Sequence, residues 1–220
     1  MSAAPDRIFV GRKKELARIR DVLGSKRNLV LTGPFGIGRT AILRHLQREM
    51  KAEWRFVFLD GSQTPGKLCE CLMLDLFPAP PTMTRRPSPS WKVARHGIES
   101  RPIRERRPMV IVLDDITKVT RQKLDFLLWL HRLGRFQIIA VAEHFLPEGD
   151  LMRIRANLSP APMVVLGHLS LATAHRFFEA WAHQHGLEWD HDHIHGLALA
   201  TRGYPLGMQG AAEVAMALTR

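Results

Sequence analysis

Cysteine is nearly absent from these 220 residues, with Cys69 and Cys71 the only two. A C-x-C pair makes no disulfide framework, so the fold has to rest on its core, and two reduced thiols in a cytoplasmic setting are the expectation. Long apolar runs are missing as well. None reaches the roughly 18 residues of a membrane-crossing helix, and the opening MSAAPDRIFVGRKKEL has no apolar stretch of signal-peptide length, so no membrane partner is expected. No internal repeat or low-complexity tract is present, no Ser-His-Asp or paired-carboxylate spacing can be defended, and nothing resembles the guanine-reading N-K-x-D. Acidic residues are in deficit: 21 stand against 32 Lys plus Arg, a formal charge of +11. Such an excess favours polyanionic partners through counterion release and long-range attraction, although an arginine-rich composition alone would also produce it.

What is present begins with an apolar fraction of 45%, enough core for one domain with a small appendage. Compact apolar runs of strand length occupy 28–32, 55–60, 109–114, 136–142 and 163–166. They are continuous rather than alternating, as in parallel strands covered on both faces. Helical patterns at 39–52, 66–76 and 120–133 lie between them, and strand–helix alternation predicts a three-layer α/β sandwich. Ahead of the first run, Leu16, Ile19, Val22 and Leu23 recur at helical spacing after a turn at Gly11. Beyond residue 166 the strand signal stops. A helix over 170–182, capped by Ser170, puts Ala174, Phe177, Phe178 and Trp181 on one face, and two more follow at 190–201 and 205–218. The expected organisation is an N-terminal segment (1–27), an α/β core (28–166) and a helical lid (167–220).

The chemistry concentrates in LTGPFGIGRTAILRHL, residues 31–46. Gly33, Pro34, Phe35, Gly36, Ile37 and Gly38 form a glycine-rich turn between a strand and a helix, where backbone N–H groups and the helix N-terminus converge on one spot and bind phosphate. Thr40 supplies a hydroxyl for Mg²⁺, and Ala41 continues the helix. The run MVIVLDD then ends a strand in carboxylates, so that Asp114 would hold the metal and Asp115 would orient or deprotonate an attacking water. Arg39 stands where the motif G-x-x-x-x-G-K-[ST] has lysine. Arginine keeps the charge and can grip phosphate in bidentate fashion, but its planar fork is bulkier, so nucleotide binding is expected to survive and hydrolysis to be slow or lost.

Together, IFVGRKKELARIRDVL, GPFGIGRT, VIVLDD and TRGYPLGMQGAAEV resemble an AAA+ or STAND-type P-loop ATPase along almost the whole chain. The resemblance implies a five-stranded parallel core followed by a helical lid, with ATP and Mg²⁺ as cofactors. It also implies that Phe9, Val10 and Gly11 border the adenine, with Pro205 of Gly203-Tyr204-Pro205 near the base or ribose. The sequence departs from that pattern in three places. Leu206 occupies the place of the lid arginine, for which Arg202 is a substitute; Glu143 or His144 falls at the polar position ending the fourth strand; and Arg153 and Arg155 compete for the place of an arginine acting in trans in a homo-oligomer.

Residues 78–108 carry seven prolines and eight Lys/Arg against two glutamates, which excludes a continuous helix but allows a short one at 90–100. As a contact arm for DNA, this stretch would use Arg85, Arg86, Arg104, Arg106 and Arg107; as a solvated loop it would contact nothing. His183, His185, His191, His193 and His195, with Asp190 and Asp192, suggest metal, but an exposed loop and an aspartate helix cap account for them more simply. Trp129, Phe126, Leu127 and Leu130 read as core, as do the two cysteines. The functional expectation is a nucleotide-dependent conformational or assembly switch with weak hydrolysis, serving a DNA transaction of the transposition or initiator kind. A regulatory switch acting on a protein partner, and a non-hydrolysing P-loop scaffold, stay open beside it.

Overall fold

The computed structural model describes residues 8–78 and 90–219, so Arg85 and Arg86 lie outside the described residues. All five apolar runs become strands of one parallel sheet: β1 (Leu29–Gly33), β2 (Arg55–Asp60), β3 (Met109–Ile116), β4 (Gln137–Glu143) and β5 (Met163–Val165), in the order β2-β3-β4-β1-β5. Every residue of β1 and β4 is buried, which is why neither alternates. The third run extends past its expected end at 114. The β3–β4 register shifts between Leu113 and Ile116, and Asp115 takes a left-handed backbone (φ 63°) at that irregularity.

Helices cover both faces. On one, α1 (Lys13–Gly24) and α2 (Arg39–Glu49) pack Leu16, Ile19, Leu23, Ile42, Leu43 and Leu46 against Leu29, Leu31 and Val112. On the other, α3 (Pro65–Leu76), α4 (Trp91–Ser100), α5 (Arg121–Arg132) and α6 (Glu148–Asn157) cover Val30, Ile111 and Ile138. Local chemistry starts two of these helices. Thr64 precedes Pro65 and accepts from Lys67 N–H, while Thr120 accepts from Lys123 N–H at 3.2 Å. The apolar stripe of α5 is core, as its spacing predicts: Phe126, Leu127, Trp129 and Leu130 are all buried. Cys69 is buried and Cys71 half-buried, both are free, and burial pushes the Cys69 thiol up to about 12.

A separate apolar cluster forms the helical end, built from α7 (Leu171–His185), α8 (His191–Thr201) and α9 (Pro205–Thr219) around Ala174, Phe177, Phe178, Ile194 and Met208. Ser170 caps α7, and Asp190 caps α8 by accepting from His193 N–H at 2.7 Å, as the sequence suggests. The expectation that the helix ends at 182 and 183–185 belong to an exposed loop is corrected here. Trp181 packs on Phe177 and carries α7 through His185, where Gly186 ends it in a left-handed conformation. His175 on α7 joins His191 and His195, with ring centroids 5.0 and 6.2 Å away, but among the described residues no group of three side chains is placed to hold a metal. Ile8 and Val10 pack against this cluster, so the N-terminal segment touches the helical end, while α1 belongs to the core. No helix among the described residues is long and apolar enough to cross a membrane.

Leu31→Ala, at a fully buried position of the interior strand β1, is expected to cost about 2–5 kcal/mol in urea unfolding. Leu218→Ala, 84% exposed, should stay within about 0.5 kcal/mol.

Candidate nucleotide-binding site

The carboxyl ends of β1, β3 and β4 meet at one edge of the sheet, where open parallel α/β sheets place their ligands. There α2 starts without a side-chain cap. Its N-cap is Gly38 at φ 93°, so no side chain of the cap residue competes for the first-turn N–H groups of α2. A cleft of about 850 Å³ opens over this helix end, large enough for a nucleotide. Of the expected residues it brings together Phe9, Val10, Phe35 through Ala41, Asp114, Asp115 and Pro205. Gly33 and Pro34 do not line it. Gly33 is needed for packing instead, since a Cβ there would come within 2.6 Å of the Leu166 carbonyl.

Thr40 Oγ1 donates to Asp114 Oδ2 at 2.8 Å, so the hydroxyl and carboxylate expected to hold magnesium already face each other. Two hard oxygen donors beside a helix N-terminus suit Mg²⁺ and phosphate, and the residues present fit both groups. Asp114 is anchored through its backbone: its carbonyl accepts from Gly61 N–H, and a Cβ on Gly61 would come within 2.6 Å of that oxygen. Buried Lys123 in turn donates to the Gly61 carbonyl, and burial draws its ammonium below the usual lysine range, with Asp60 opposing.

Arg39 departs from the expected phosphate-facing position. It is buried, with Nη1 donating to Ala142 O at 3.0 Å and Nη2 to the Glu143 carboxylate. The sheet register explains this, because Glu143 is the β4 residue paired with Gly33, directly beside the loop. Asp115 lies against the same carboxylate. Burial, then the close approach of the Glu143 carboxylate and its charge, lift the Asp115 carboxyl above the ordinary aspartate range; Asp114 adds to the shift and Arg39 offsets part of it.

The lid end closes the cleft from the other side. Leu206 N–H donates to Gly36 O at 3.2 Å, and the Tyr204 hydroxyl donates to Phe35 O at 2.9 Å. Gly36, at φ 70°, has no room for a side chain: a Cβ would fall 2.5 Å from the Tyr204 oxygen. Leu206 thus touches the loop through its backbone, not as a cation, and Arg202 is a left-handed residue ending α8. Phe9 lines the cleft but stacks on His45, with centroids 4.0 Å apart. Sequence reasoning passed over Arg12, a left-handed residue (φ 60°) that caps the loop by donating to Ile37 O at 3.1 Å. The G-R pair after the first apolar segment was the available signal.

Among the described residues, the other candidate arginines do not line the cleft. Arg153 is exposed on α6 and pairs with Asp150 at 3.2 Å, whereas Arg155 turns inward to Ala161 O. Arg104 and Arg106 are exposed. Arg107 grips Glu105 and the Lys51 carbonyl, and Glu105 is drawn down to about 2, chiefly by that hydrogen bond.

A family model described as AAA ATPase domain matches residues 8–141, the stretch from the first apolar segment into β4. The chain belongs to the AAA ATPase domain family. It is an AAA+ P-loop protein with the five-stranded parallel sheet and C-terminal helices of that fold. Solved structures agree on the architecture. The ORC1 protein of Aeropyrum pernix in complex with DNA superposes with a TM-score of 0.71 at 16% identity, covering 98% of this chain and 63% of that one. Cdc6p of Pyrobaculum aerophilum gives 0.66 at 18%, covering 99% and 66%. A STAND protein with a tetratricopeptide repeat sensor from Pyrococcus horikoshii gives 0.56 at 20%, covering 94% of this chain but 30% of its own. The chain therefore spans under two thirds of the ORC1 protein and under a third of the STAND protein. No curated protein matches the chain.

Breaking the Arg39–Glu143 pair with Arg39→Met should destabilise the AAA ATPase domain by about 3–5 kcal/mol in denaturant unfolding, since Glu143 would be left buried and unpaired. Gly36→Ala is expected to speed backbone hydrogen exchange across 203–208, as the lid is pushed off the loop.

Proposed function

We propose that this AAA+ domain binds Mg·ATP and works as a nucleotide-dependent conformational or assembly switch with weak or slow hydrolysis. The observation that carries the reading is the direct grip of the lid on the phosphate loop. Peptide planes are rigid, so the Phe35 and Gly36 carbonyls that hold Tyr204 and Leu206 turn together with the N–H groups of Gly36 and Ile37. A phosphate drawing on those N–H groups re-aims the carbonyls, and the lid follows. Gly38, Thr40 and Ala41 complete the cradle, with Pro205, Phe9 and Val10 on the base side of the cleft. Magnesium, when held by Thr40 and Asp114, supplies charge neutralisation for the phosphates. Engagement of Arg39 on Glu143 supports slow turnover, because the loop's cation is committed elsewhere, and Asp115 is the residue beside Asp114 that would position a water.

DNA is the favoured partner. Support comes from the +11 charge, from exposed Arg104 and Arg106 on the connection leading into β3, and from the ORC1 relative, whose structure is a complex with DNA. Arg85 and Arg86 complete the proposed contact set, whereas Arg107 is already engaged by Glu105 and the Lys51 carbonyl. Arg153 is the exposed residue of the two on α6 and the better placed to reach a second copy of the chain. A protein partner in place of DNA, or a scaffold without nucleotide, are the readings to which failed tests would lead.

In calorimetry with Mg·ATP, Thr40→Ala is expected to weaken binding by about tenfold and to remove most of its magnesium dependence. Absence of any binding by the unchanged chain would favour the scaffold reading. With fluorescent duplex DNA, raising salt from about 50 to 200 mM should weaken binding roughly 10²–10³-fold, and Arg104→Ala with Arg106→Ala should lower the log–log salt slope by about 2. A salt-insensitive response would turn the reading to a protein partner.

A further inference from the structure

Glu143 lies outside the loop motif, yet it controls the only Lys or Arg between Gly33 and Ala41. It ends β4, is 4% exposed, and is set beside the loop by its register with Gly33. One of its oxygens, Oε1, accepts from Arg39 Nη2. The other, Oε2, is buried and has no hydrogen-bond partner. A buried carboxylate with one oxygen lacking a donor depends heavily on the cation it has. Arg39 is equally committed. Its second terminal nitrogen is spent on Ala142 O, so both tips of its planar fork are turned to the end of β4.

We propose that Glu143 is a specificity-determining residue of the nucleotide site: its carboxylate is an intramolecular competitor for the terminal phosphate, and a nucleoside triphosphate engages Arg39 only by displacing it. The inference rests on the nucleotide-binding reading above. In the paired state, phosphate binding comes from loop N–H groups, the α2 N-terminus and the Thr40–Asp114 pair. The N–H groups and helix end serve the inner phosphates, which di- and triphosphates share. The added attraction for a third phosphate lies in Arg39, and Glu143 holds it back. Arginine in place of lysine and glutamate at the end of β4 thus act as one unit. The guanidinium's fork lets one nitrogen reach Glu143 while the other reaches a backbone carbonyl, which a single ammonium would satisfy less well.

Glu143→Gln tests this, since it keeps an oxygen acceptor and the side-chain volume but removes the charge. Mg·ATP and Mg·ADP binding would be measured by calorimetry on the full chain, on Glu143→Gln, on Arg39→Met and on the double variant. The unchanged chain is expected to bind the two nucleotides within about tenfold of each other. Glu143→Gln should tighten ATP about tenfold and ADP by less than about threefold, as a cation free for a minor fraction of the time becomes free for most of it. In the Arg39→Met background the same change should have no effect on ATP. A pair that only clamps the fold would lower the melting temperature in Glu143→Gln and leave the ATP-to-ADP ratio unchanged, and that result would overturn the proposal. If Glu143→Gln does not fold, the unchanged chain decides. A preference for ATP of more than about tenfold would show that Arg39 already reaches the third phosphate, again overturning it, while near-parity supports it. Binding of both nucleotides by wild type and variant with equal ratios defeats this inference alone. Binding of neither nucleotide by any form defeats the nucleotide reading with it.

Discussion

The pairing of β1 with β4 is the constraint from which the site follows. Five residue pairs, Leu29–Ile139 through Gly33–Glu143, lock two fully buried strands in parallel, and a slip of one residue would turn every side chain of one strand to the opposite face. That register leaves the phosphate loop no choice of neighbour. Gly33 leaves the sheet beside Glu143, and α2 returns Arg39 over the same spot. An unpaired carboxylate or guanidinium there would cost several kcal/mol, so a loop carrying arginine at this place and a strand ending in glutamate stabilise one another. β5 pairs with the other edge of β1, and Leu166 just beyond it packs on Gly33, so the loop is held from both sides.

The same geometry joins elements of the candidate site that lie far apart in the chain. Thr40 and Asp114 are 74 residues apart in sequence and meet at 2.8 Å. Behind Asp114 stands a buried chain of support, from Lys123 to the Gly61 carbonyl and from Gly61 N–H to the Asp114 carbonyl, which makes the end of β3 rigid without adding charge to the cleft itself. On the opposite wall the support is weaker and more easily rearranged. Two hydrogen bonds to loop carbonyls and the packing of Tyr204 hold the lid, and a ligand competing for the loop's peptide units reaches that contact directly. A braced carboxylate on one wall and a lid held through loop carbonyls on the other are what the proposed switch requires.

Charge shows how composition alone can mislead about individual residues. The +11 excess describes the whole chain, but many cations are spent internally. Arg107 holds Glu105, Arg95 reaches Glu99 at 3.1 Å, Arg155 ties down Ala161 O and Arg39 is buried. Only exposed and uncommitted positions bear on a polyanion, and sequence does not separate the two kinds. Pairing across the structure depends on which helix faces which loop.

Sequence alone determined the elements and their class. Continuous apolar runs could be satisfied only by parallel strands buried on both faces, the stripes at 3.6-residue spacing only by helices lying on them, and Ser170 and Asp190 marked helix starts because their side chains satisfy free N–H groups. The glycines of the loop and Asp114 were legible for the same reason, since few other residues can serve there. Tertiary structure decided what those residues touch. Arg39 looked like a phosphate ligand and is the partner of Glu143, Phe9 was expected to border the base and lies on His45, and Arg12, to which no role was assigned, caps the loop. Each of these contacts joins residues well separated in sequence, through a sheet register and a helix return that no local pattern encodes.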